Sequence, residues 1–261
     1  MIDPFFDQHH GSKWRAKYVI YLTARGFFLV LFRVIFRMRV YGLKNIPPGG
    51  GALMISNHVH NADPVLMMAA CPRPTHFMAK EEMWKVPGVR WIADKSGAFP
   101  VRRGTADRAA LRKADAILHD GRLVAAFPEG TRSVTGGLTK AFPGVSLIAT
   151  HSGAPLIPIA VLGTEDLPGN GAKQKKRDRI WPNTKVVFGE PFHLQTHKPD
   201  GSRWPLEELS DAMMIEIARI MPVSYRGVFA SRAGESHPAV RRDKITFTGP
   251  EPKSLLSRFK R

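Results

Sequence analysis

His58 and Asp63, five positions apart, form the pair with the most chemical content in this chain. On one continuous helix their side chains diverge by about 140°. A loop holding His58, followed by a helix beginning at Asp63, folds them together. A carboxylate bonded to one imidazole nitrogen fixes the tautomer and leaves the other nitrogen as an oriented base. No Gly-x-Ser-x-Gly elbow is present, so such a base acts on a substrate hydroxyl and not on an enzyme serine. The same spacing also describes a plain helix cap at Asp63 and a loop histidine. A metal reading stands beside both, because His58, His60 and Asp63 are zinc-ligand types, although no further ligand cluster accompanies them. Arg103, Arg132 and the turn Glu129-Gly130-Thr131 suit a phosphate: arginine gives bidentate charge-assisted bonds, and a Gly-Thr turn presents backbone N–H groups. Taken singly, each arginine also reads as a surface residue, and Glu129 as its ion-pair partner.

The elements that must hold these residues alternate between strand and helix. Residues 38–43 read as a short strand, 47–51 as a turn and 52–56 as a buried strand. Asp63-Pro64 reads as a helix start, Asp63 at the cap and Pro64 at the first turn, with the helix reaching Ala70. A strand over 75–79 follows. Thr105 reads as the cap of a helix to Asp120, closed by Gly121. Then come a strand over 122–127, a helix over 144–152, a strand over 156–162, a polar loop over 164–183, a strand over 184–188 and a helix over 205–221 stopped by Pro222. This alternation predicts an α/β fold with a largely parallel central sheet flanked by helices. The candidate residues then lie at strand ends, where such folds place their chemistry.

The chain has 261 residues, with 43% hydrophobic and 23% charged, which excludes general disorder and a fibrous repeat. One cysteine, Cys71, excludes an intramolecular disulfide framework and a cysteine-built zinc site. The formal charge is +17, which points to a polyanion, either nucleic acid or an anionic membrane face. Residues 1–41 carry seven basic and two acidic side chains, residues 171–180 five and one, and residues 222–261 nine and three. These segments hold nearly the whole excess and leave the body almost neutral.

The N-terminus, with Asp3 and Asp7, lacks the basic region of a signal peptide. The apolar run 18–36 is interrupted by Arg25 and Arg33 and is too short of uncharged residues to span a bilayer. Arg15, Arg25, Arg33 and Arg37 fall in an arc of about 120°, and the remaining circumference carries Phe28, Phe32 and Ile35. This predicts amphipathic helices at the membrane interface, with Gly26 dividing them, the arginines toward headgroups and Phe28, Leu29, Phe32 and Ile35 in the acyl boundary. The alternative is a helix docked on the protein's own core. The last forty residues, charged and weakly periodic, read as a partly ordered tail.

Together these residues resemble the glycerolipid acyltransferase family, best known from the 1-acyl-glycerol-3-phosphate acyltransferases. That family carries four ordered blocks. The first, N-H-x-x-x-x-D, is met by Asn57, His58 and Asp63. The second resembles Gly97 to Arg103, the third, F-P-E-G-T-R-S, is matched throughout by Phe127 to Ser133, and the fourth resembles Ala154 to Ala160. Lys80 to Trp84 with Pro87-Gly88 resembles the segment between the first two. The likeness covers residues 40–190. Two departures stand out: His60-Asn61 replaces a more usual polar-aromatic pair, and Phe142 precedes Pro143-Gly144 where many members carry a lysine.

The resemblance implies a single acyltransferase domain at 42–221, preceded by membrane-interface helices at 1–41 and followed by a basic extension at 222–261. It implies direct acyl transfer from an acyl thioester, acyl-CoA or acyl carrier protein, to a lysophospholipid hydroxyl, with 1-acyl-glycerol-3-phosphate the foremost acceptor. His58 would be the base and Asp63 its orienting partner. Asn57, Arg103, Glu129, Gly130, Thr131 and Arg132 would bind the acceptor. No metal and no cofactor beyond the acyl thioester are expected. The expected partners are membrane lipids, not nucleic acid, since no recognised nucleic-acid module is present. The expected location is the cytoplasmic membrane face, peripheral or monotopic. A non-catalytic membrane adaptor would account for the charge but not for the His–Asp pair.

Overall fold

A computed structural model describes residues 11–102, 107–168, 182–242 and 245, with side chains throughout except at 11–20, 24, 87, 89, 91, 92 and 95. Arg103, Thr105 and the basic loop 171–180 lie outside the described residues. A seven-stranded sheet is built from β1 (Arg39–Tyr41), β2 (Ala52–Ser56), β3 (Thr75–Lys80), β4 (Phe99–Val101), β5 (Leu123–Ala126), β6 (Leu156–Leu162) and β7 (Lys185–Phe188), in the spatial order β1-β7-β6-β2-β5-β3-β4. The five strands from β6 to β4 run parallel, while β7 pairs antiparallel with β6 and carries β1 alongside it. Strands buried on both faces are apolar at every position, and ALMIS in β2 and LIPIAVL in β6 are buried throughout.

The period-2 alternation sorts these side chains between two helical layers. Leu53, Ile55, Val124, Ala126, Leu156 and Ala160 face one core with α4 (Arg108–His119), α5 (Gly144–Ser152) and α6 (Leu206–Arg219). Ala52, Met54, Leu123, Ala125, Ile157 and Ile159 face the other, with α2 (Asp63–Ala70) and part of α1 (Gly11–Ile35). α3 (Pro87–Ser96) is fastened to the preceding turn by the Trp84 indole, which donates to Asp94 at 2.9 Å.

Several elements differ from expectation. The cap of α4 is Asp107, whose carboxylate accepts from the amides of Ala109 and Ala110 at 3.1 and 3.0 Å. Asp63 is the first helical residue of α2 and not its cap, which falls at Ala62. Residues 222–242 of the expected tail fold onto the body: turns at Val223–Tyr225 and Gly227–Phe229 lead to β9 (Val240–Arg241), which pairs with β8 (His193–Leu194), and residues 246–261 lie outside the described residues. Phe229 and Ala233 enter the core, and Arg242 pairs with the buried Glu216 of α6.

α1 is one continuous helix, since a lone glycine costs only about 1 kcal/mol in a helix interior and Gly26 leaves it unbroken. Arg25 does not face outward as Arg33 and Arg37 do. Its guanidinium donates to the carbonyls of Cys71 and Ala70, at 2.5 and 3.1 Å, where α2 ends. A cation there satisfies orphan carbonyls and complements the helix dipole. Phe32 is likewise turned inward, 9% exposed, its ring stacked on Phe36 at 5.3 Å, and Leu29 packs beside it. The outer face instead presents Phe27, Phe28, Val30, Val34 and Ile35, with Arg33 exposed beside them. Among the described residues, no helix is long and apolar enough to cross a membrane.

Candidate active site

β2 and β5 run side by side and deliver their following loops to the same carboxyl edge of the sheet. The loop after β2 holds His58, and the turn after β5 begins at Phe127. The imidazole of His58 stacks on the Phe127 ring, with centroids 4.1 Å apart and planes 19° from parallel. Two backbone bonds lock the loops together: the Ser133 amide donates to the His58 carbonyl at 2.7 Å, and the His58 amide donates to Glu129 Oε1 at 3.1 Å.

Asp63 folds back from the start of α2 into the loop it follows. Its Oδ2 accepts from His58 Nδ1 and from the amides of Val59 and His60, all at 2.8 Å. Its Oδ1 accepts from the Thr164 hydroxyl at 2.6 Å. The carboxylate is fully buried, a position tolerable for a charge because each oxygen is hydrogen-bonded. With Nδ1 bonded to Asp63, Nε2 is the other ring nitrogen, and the His58 side chain keeps 13% exposure.

The chain is similar to known acyltransferases. The Acyltransferase family model matches residues 37–162. The 1-acyl-sn-glycerol-3-phosphate acyltransferase of Bacillus subtilis is 28% identical over 169 residues, covering 64% of this chain and 80% of that protein. The chloroplastic enzyme of the same name from Arabidopsis thaliana is 26% identical over 161 residues. A Borreliella burgdorferi counterpart is 29% identical over 130 residues. The matched part spans only 44% and 52% of those two relatives. Residues 37–162 carry an Acyltransferase domain, and the chain is similar to the 1-acyl-sn-glycerol-3-phosphate acyltransferases. Its fold is that of the 1-acyl-sn-glycerophosphate acyltransferase from Thermotoga maritima, with a TM-score of 0.61, 24% identity, and coverage of 80% of this chain and 82% of that one.

In this acyltransferase the other expected site residues divide into braces and outward groups. Asn57 does not face a ligand: its amide donates to the Val161 carbonyl and accepts from the Val161 amide, both at 2.8 Å, which extends the β2–β6 pairing beyond Ser56. Glu129 is also a brace. It is 2% exposed, and its second oxygen accepts from the amide and hydroxyl of Thr139 at 3.0 and 2.8 Å. Burial holds its carboxyl above the ordinary value, against those donors.

The Gly130 amide donates within the turn, to the Phe127 carbonyl at 2.9 Å, and is not left for an anion. Gly130 is required there: φ is +65°, and a Cβ would meet the Phe142 ring at 2.7 Å. Thr131 and Arg132 remain on the outer side of the turn, exposed and half-buried respectively. His60 is buried, and its Nδ1 accepts from the Ala62 amide at 3.0 Å. Burial, outweighing Asp63, holds its imidazole below the ordinary value. His58 and His60 therefore point their Nδ1 atoms at different partners, and among the described residues no group of three or more His, Cys, Asp or Glu is placed to hold a metal.

Two functional side chains escaped sequence reasoning. Thr164 lies 101 positions from the aspartate it touches and carries no spacing signal. Phe127 stood inside a motif already singled out, and its stacking role was within reach of that motif.

Proposed function

We propose that this acyltransferase moves a fatty acyl group from an acyl thioester, acyl-CoA or acyl carrier protein, to the free hydroxyl of 1-acyl-glycerol-3-phosphate, giving phosphatidic acid. The observation that supports this most is the 2.8 Å contact between His58 Nδ1 and a buried, four-fold hydrogen-bonded Asp63. His58 Nε2 takes the hydroxyl proton as the oxygen attacks the thioester carbonyl. The new C–O bond forms, the C–S bond breaks, and the proton passes from His58 to the departing thiolate. Asp63 stabilises the imidazolium between these steps. Arg132 and Thr131, with Arg103, hold the acceptor phosphate. Fixing the hydroxyl beside the base supplies effective concentration. The relatives' names support 1-acyl-glycerol-3-phosphate as acceptor. Phe142, exposed where many members carry a lysine, favours testing other lysophospholipids beside it.

The protein works at the membrane surface, on the cytoplasmic face, with residues 1–41 as interfacial anchor, 42–221 as catalytic domain and 222–261 as basic extension. The deciding experiment is product analysis of purified protein with a panel of lysophospholipids and both thioester carriers. Wild type should form phosphatidic acid. His58→Ala should lose about 10²–10⁴-fold in rate while keeping its circular dichroism. Turnover near wild type in folded His58→Ala would remove the mechanism.

A further inference from the structure

The segment 223–229, beyond the part of the chain that resembles the family, is wired into the turn after β5 and into the turn after β6 that carries Thr164. Its backbone holds the turn after β5: the Leu138 amide donates to the Tyr225 carbonyl at 3.0 Å, and the Val228 amide donates to the Leu138 carbonyl at 3.1 Å. Contact is close enough that a Cβ on Gly227 would meet the Leu138 carbonyl oxygen at 2.1 Å, and one on Gly137 would meet the Gly227 Cα at 2.8 Å. Gly137 in turn accepts from the Ser133 hydroxyl at 2.6 Å, inside the F-P-E-G-T-R-S turn.

The Tyr225 side chain reaches the other loop, the turn after β6. Its oxygen accepts from the Gly163 amide at 3.2 Å, and its O–H donates to the Glu165 carboxylate. Between those two residues stands Thr164, fully buried, whose hydroxyl donates to Asp63 Oδ1. We infer that Tyr225 and Thr164 are positioning residues for the His58–Asp63 pair. Tyr225 clamps the turn on either side of Thr164, and Thr164 sets the carboxylate that orients the base. Burial and Glu165 push the Tyr225 phenol far above its ordinary value, so it remains a donor at every working pH. The assignment of a catalytic consequence rests on the acyl-transfer reading; the coupling to His58 does not.

The sign of the effect follows from charge. A hydroxyl donating to Asp63 draws off part of its negative charge. Without that donor the carboxylate holds the imidazolium more firmly. Among the described residues, His60 and Glu129 also act on His58, and Arg132 acts on His60; none of them is touched by the changes proposed.

The test uses the full chain as wild type, Thr164→Val, Thr164→Ser and Tyr225→Phe. His58 is followed by NMR and steady-state kinetics are measured in parallel. Thr164→Val should move the His58 imidazole NMR resonances away from their wild-type positions. It should lower kcat about tenfold or more, as expected on losing a hydrogen bond to a charged group, with KM within about twofold. Thr164→Ser should restore both, and Tyr225→Phe should shift both severalfold less in the same direction. Identical His58 resonances in all four proteins would overturn the proposal. So would a pH-independent loss in Thr164→Val that serine does not rescue. A shifted His58 in a wild-type protein that transfers no acyl group would instead reject the acyl-transfer reading and leave the coupling standing.

Discussion

At the scale of single residues, the buried Asp63 shows why a weak spacing signal became a defined site. An H-x-x-x-x-D pair alone fits a capped helix as well as a catalytic dyad. The carboxylate here turns backward from the first turn of α2, and its Oδ2 gathers three N–H groups of the loop. That geometry needs a loop short enough to wrap around one oxygen, which five residues supply. The outward half of the site was legible because its residue types are scarce and clustered. Its bracing half was not: Asn57 and Glu129 have the chemistry of ligands but bond to Val161 and Thr139, partners distant in the chain. Asp63→Asn keeps an oxygen for the loop amides and removes the charge that supports the imidazolium. It should retain the fold, with a melting temperature within a few degrees of wild type, and lose most acyl transfer, about 10²–10⁴-fold. Kinetics and calorimetry on the same preparation check both halves, and a protein that melts much earlier would make Asp63 a structural residue first.

At the scale of elements, β2 and β6 were legible to the residue because continuous apolar runs bounded by turn residues admit no other register, and α5 because Pro143 and Gly153 bound it. β4 was hidden by Pro100, which reads as a strand breaker. It lies at the edge of the sheet order, where a missing N–H does no harm. β8 and β9, two residues each, are too short to carry a period. Arg25 joined Arg33 and Arg37 in a sequence arc, yet it caps the end of α2, since helical angle does not say which neighbour an arginine will meet.

The start of α4 offers a quantitative test at this scale. Asp107 accepts from the Ala109 and Ala110 amides and from the Arg102 amide, and these bonds hold its carboxyl below the ordinary 3.8. A depressed folded pKa means stability that is present above the unfolded value and lost as pH falls through the folded one. Asp107→Ala should therefore cost about 0.5–2 kcal/mol at pH 7, and the gap to wild type should narrow below about pH 4. Urea unfolding at several pH values measures this directly. A constant gap down to pH 2.5 would show that the carboxylate charge is not the source of the cap's contribution.

At the scale of the whole molecule, an almost neutral α/β body carries one helix with two unlike faces. The inner face of α1, with Arg25, Leu29 and Phe32, belongs to the body. Phe27 and Val34, 63% and 72% exposed, stand on the outer face with Phe28, Val30 and Ile35. A contiguous apolar surface of this kind on a lipid enzyme has a natural occupant in the acyl boundary. Arg33 beside it and Arg37 just past the helix are both exposed; on an anionic surface each would be worth roughly 1 kcal/mol. The two contributions separate by experiment. Phe27→Glu with Val34→Glu should abolish flotation with neutral and anionic vesicles alike, because it removes the apolar contact. Arg33→Ala with Arg37→Ala should weaken binding only to anionic vesicles, by about tenfold or more at low salt, and the loss should fade as salt screens exposed charge within ~8 Å at physiological ionic strength. Phe32→Ala should act differently again: it opens the core under α1, so it should lower the melting temperature. Flotation unchanged by the double glutamate variant would mean that this face of α1 does not meet the bilayer.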